Sequence, residues 1–78
     1  MEYKNTITQK IFDLLSPVLG ASMTRTSIDI HSKNAGSNPD SLTLGYLPKF
    51  ADSIRKSLVV FLGSDGAEKI AKKISSIT

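Results

Sequence analysis

The sequence predicts an all-α fold, a small bundle of three or four helices with a C-terminal helical hairpin. Three observations lead there. Apolar residues recur at helical spacing in the stretches 7–19, 47–62 and 67–77. Proline, glycine and short polar residues punctuate the ends of those stretches, where helices start and stop. Strand-like alternation is confined to "SIDIHS" and its one plausible partner, "SLTLGY".

In the first element, Ile7, Ile11, Leu14, Leu15, Val18 and Leu19 lie on one helical face. Asn5 or Thr6 is placed to cap it, because a short polar side chain can accept an orphan backbone N–H. Pro17 removes one hydrogen bond and crowds the carbonyl of Asp13. The stripe continues past it, so a bend is expected there, and a break near Gly20. Residues 24–33 have two readings. Leu19, Met23, Thr26 and Ile30 keep helical spacing, whereas Thr24, Thr26, Ile28 and Ile30 add the β-branching of a strand. Helix is preferred.

The stretch "KNAGSNPDS" reads as a loop. Gly36 suits a left-handed helix stop, and Asn38-Pro39-Asp40 is a turn signal. The next element is the clearest. Leu47, Phe50, Ala51, Ile54, Leu58, Phe61 and Leu62 fall within about 60° either side of one helical direction. Pro48 fits its first turn, where a missing N–H costs nothing. A stop is expected at Gly63. The last helix then starts with Asp65 as cap and Glu68 three residues on, or with Ser64 as the rival cap. Its apolar stripe is Ala67, Ile70, Ala71, Ile74 and Ile77, and Lys69, Lys72 and Lys73 near its end suit the negative end of its dipole.

A chain of 78 residues makes a single domain, residues 1–78. At that size only about 60% of the unfolded surface is buried, so stability is thin and a partner subunit would add to it. The chain has no cysteine, which excludes disulfides and thiolate metal sites. With no apolar leader and no membrane-length apolar run, a cytoplasmic protein with no membrane role is expected. Net charge is +3, and all of the excess lies in residues 41–78, with six basic and three acidic groups.

No pattern marks an enzyme. His31 is the only histidine, and Ser27, Asp29 and Ser32 beside it make no triad on a helix or on a strand. Asp65 and Glu68 are the only acids at ligand spacing, and capping accounts for them, so neither a metal nor any other cofactor is expected. The Gly63-Ser64-Asp65-Gly66 turn lacks the lysine and glycine spacing of a phosphate loop, and Asp65 would repel an anion. It reads as a corner.

Two functions are in contention. Val59 and Val60 stand off the stripe of Leu47 and Ile54, and Tyr46 shares a flank with Val60. These three residues are expected to meet another protein, with a homodimer the favoured case. The alternative is weak, non-sequence-specific nucleic-acid binding through Arg55, Lys56, Lys69, Lys72 and Lys73. It is less favoured, because the last helix offers no Arg, Asn or Gln to read base edges.

Overall fold

Asn5 opens the first helix by accepting the backbone N–H groups of Ile7 (2.9 Å) and Thr8 (3.1 Å). In a computed structural model that describes residues 2–78, α1 spans Thr6–Leu19 and α2 spans Ala21–Asn34. A 3₁₀ turn at Leu44–Tyr46 leads into α3, Leu47–Ser75. α3 is interrupted at Gly63, whose φ of 73° and ψ of 173° are not helical, and its arms 47–62 and 64–75 form the hairpin. The described residues contain no strand. Residues 24–33 are helical throughout, because Thr24, Ile28 and His31 pack inward at helical spacing and that burial outweighs their β-branching.

α1 passes Pro17 with no break in the helix and ends at Leu19. The chain breaks at Gly20, where a break is expected, and this residue alone separates α1 from α2. Its φ of 83° and ψ of 158° belong to a region that is essentially glycine-only. Its N–H still bonds Ser16 (2.8 Å), and its carbonyl still accepts from Thr24 N–H (3.0 Å). Both helices are thus closed at one residue.

α2 ends as its sequence foretells. Gly36 has φ 91°, its N–H bonds the Lys33 carbonyl and Ser37 N–H bonds that of Ser32, both at 2.9 Å. That pair of bonds is a Schellman closure. The loop then turns at Asn38, whose side chain accepts Asp40 N–H (3.0 Å) while its carbonyl accepts Ser41 N–H (3.1 Å). Asn5 reaches across and donates to the carbonyls of Asp40 (3.2 Å) and Leu42 (2.8 Å). Thr8 Oγ1 donates to the carbonyl of Pro39. The loop is thereby fastened to the first turn of α1.

The core draws on every helix. Ile11 and Leu15 come from α1, Ile28 from α2, Phe50, Ile54 and Leu58 from the first arm, and Ala67 and Ile74 from the second. Two expectations are corrected. Asp65 does not cap the second arm: Gly63 alone makes the corner, and Asp65 lies within the helix two residues later, where its charge still suits the dipole. Phe61, read as a core residue, is 60% exposed. Its neighbour Leu62 faces the second arm, where a Cβ built on Gly66 would come within 2.8 Å of Leu62 Cβ. Phe61, about 100° round the helix, is turned away from that contact.

Candidate functional site

The hairpin corner sets the geometry of the first candidate surface. Just before Gly63 the chain presents three apolar side chains in succession. Val59 is 36% exposed, Val60 85% and Phe61 60%. Between Lys56 and Glu68 the only charge is that of Asp65. The tip is therefore apolar, nearly uncharged and uncovered. Tyr46 stands elsewhere. It lies in the 3₁₀ turn, half-buried and packed against the core. The rise from there to Val60 is about 20 Å, so the two share a flank but not a patch.

The basic residues are spread over both arms. Arg55 bonds Asp52 at 3.0 Å, and Lys56 pairs with the same carboxylate at 3.3 Å. The Arg55 hydrogen bond, then that of Lys56, hold the Asp52 carboxyl below its usual range. Lys69, Lys72 and Lys73 are exposed on the second arm. Arg55 and Lys72 line a groove of about 610 Å³ between the arms, with Ala51 and Ala71 in its lining; Lys69 and Lys73 do not reach it.

A third feature joins α2 to α3. His31 is only 6% exposed and lies edge-on to Phe50, with ring centroids 6.2 Å apart. Its Nδ1 is 2.7 Å from Ser53 Oγ, which also accepts from Asn34 Nδ2 at 3.1 Å. Burial pushes the imidazole pKa down from its ordinary 6.5. Neither Ser27, Asp29 nor Ser32 is its partner. Ser32 Oγ donates instead to the Asp29 carbonyl at 3.1 Å, and Asp29 pairs with Lys33 at 3.2 Å.

Sequence reasoning missed Ser53, Asn34 and Lys49, which surround His31 in space. One signal pointed to part of this group: Lys49, Asp52, Ser53, Lys56 and Ser57 repeat at helical spacing on the polar side of α3. Among the described residues no group of three or more His, Asp or Glu side chains could hold a metal ion. No described helix is long and apolar enough to cross a membrane. No protein-family model matches the chain, and neither the curated proteins nor the solved structures contain a significant match to it.

Proposed function

We propose that this small helical domain associates with a second copy of itself through the hairpin tip. The observation that carries the reading is the consecutive exposure of Val59, Val60 and Phe61 at 36%, 85% and 60%. A small soluble domain gains by covering such a patch, and an aromatic beside aliphatic residues is the composition of an interface centre. A second copy fits because the tip carries one charge, so two tips meet with little repulsion. The patch is small, and transient rather than permanent pairing is expected.

Sedimentation over a concentration series tests this. The native chain should show a rising average mass by about 1 mM, the weak end of useful affinity. Val60→Asp should remain helical and lose at least about tenfold in association, since burying one valine is worth roughly 1.5–3 kcal/mol. A native mass that stays monomeric across the series overturns the proposal.

A further inference from the structure

The cleft between the end of α2 and the first arm of α3 is lined by polar groups, and one of its hydrogen bonds has a fixed direction. Asn34 Nδ2 can only donate, so Ser53 Oγ accepts that bond and still offers either its proton or its second lone pair to His31 Nδ1. Burial favours the neutral imidazole, and its Nε2 is the ring nitrogen that Ser53 does not engage. That nitrogen has no protein partner among the described residues, and it is not among the buried atoms left unpartnered. It therefore meets solvent, at the cleft that His31 lines.

The cleft has a volume of about 490 Å³ and is also lined by Lys49, Lys56 and Ser57. Lys49 forms no ion pair among the described residues, whereas Lys56 pairs with Asp52. Asp52 lines the cleft too, but one oxygen is taken by Arg55 and the other by Lys56. The pair with Lys56 is exposed and costs little to rearrange. Two lysines against one carboxylate leave the cleft positive.

We propose that this cleft binds a phosphate-class oxyanion. Lys49 and Lys56 supply the charge, the Ser57 hydroxyl supplies a neutral donor, and His31 supplies a second through Nε2–H in the tautomer that accepts from Ser53 at Nδ1. A cleft of this size exceeds what a bare ion needs and lies in the range of small-molecule sites. The cleft leaves room beside the ion for the organic group of a phosphate ester. The hairpin tip plays no part, so this inference and the pairing of two copies stand or fall separately.

His31 is the only histidine, so its ring resonances report on the cleft without ambiguity. Inorganic phosphate titrated at constant ionic strength should shift them saturably and raise the His31 pKa, because an anion beside the ring favours imidazolium. Lys49→Gln and Lys56→Gln should each weaken the shift several-fold while leaving the helices intact, as both side chains are exposed. Lys69→Gln, outside the cleft, should leave it unchanged. A nucleoside monophosphate and a short DNA duplex then distinguish the source of the phosphate. Tighter binding of the monophosphate identifies a free ester; tighter binding of the duplex, weakened at Lys49 and Lys56, identifies a nucleic-acid backbone. No shift with phosphate, or an equal shift with chloride, overturns the proposal.

Discussion

Thr24 is fully buried, and its hydroxyl has no hydrogen-bond partner. Thr8 and Ser32 are as deeply buried, but each donates to a carbonyl. An unmet hydroxyl carries its desolvation cost unrelieved. Thr24→Val keeps the shape and removes that cost, so denaturant unfolding should show a gain of about 1 kcal/mol. His31 makes a different prediction. Its pKa is lowered on folding from 6.5, so the unfolded chain takes up the proton first as pH falls. Stability is full above about pH 6.5 and declines below it until the folded imidazole also protonates. Denaturant midpoints at about pH 7.5 and 5.5 should differ in the native chain and converge in His31→Gln. Glu2 and Asp52, whose carboxyls are lowered from 4.5 and 3.8, lose their contribution only at more acid pH, which keeps the windows apart.

At the scale of the elements, two glycines do different work three residues apart. Gly63 meets nothing within 4 Å of an added Cβ, yet its φ of 73° and ψ of 173° exclude other residues on conformation alone. Gly66 has an ordinary helical backbone but would place a Cβ 2.8 Å from Leu62 Cβ. Gly63→Ala should cost about 1–3 kcal/mol through backbone strain. Gly66→Ala should also lose stability, by about 1–3 kcal/mol through overpacking at the corner, despite alanine's better helix propensity. Gly45→Ala, where the nearest atom is at an ordinary 3.8 Å, should cost less than either, and thermal melts of the three variants would rank them. This is also where sequence reading stops short. The stripe 47–58 and the stop at Gly63 were legible, because period and punctuation are local. That one residue would suffice for the corner was not, since it depends on Leu62 meeting Gly66 across the turn. For α2 the alternation of Ile28 and Ile30 pulled toward a strand. In a strand the two would share a face; in the fold Ile28 is buried and Ile30 is 48% exposed, the opposed placement that residues two apart take on a helix.

The whole molecule has a radius of gyration of 11.0 Å, and at that size one long loop is a large share of the structure. The turn inside the loop and its glycine stop were readable from residues 34–41. Its attachment was not, because Asn5 and the carbonyls it meets lie 35 and 37 residues apart. His31 and Ser53 are likewise 22 residues apart. Spacing rules see neighbours on one helix, so the cleft had no local signature beyond a polar stripe. Asn5 itself is bifunctional: its oxygen serves α1 and its nitrogen serves the loop. A carboxylate of the same shape keeps only the first job. Asn5→Asp should leave amide exchange in α1 slow while exchange around residues 39–42 accelerates. A single change of nitrogen to oxygen would then leave the loop held by Thr8 and the buried Leu42 alone, and its 39–42 stretch would open to a protease more often than in the native chain.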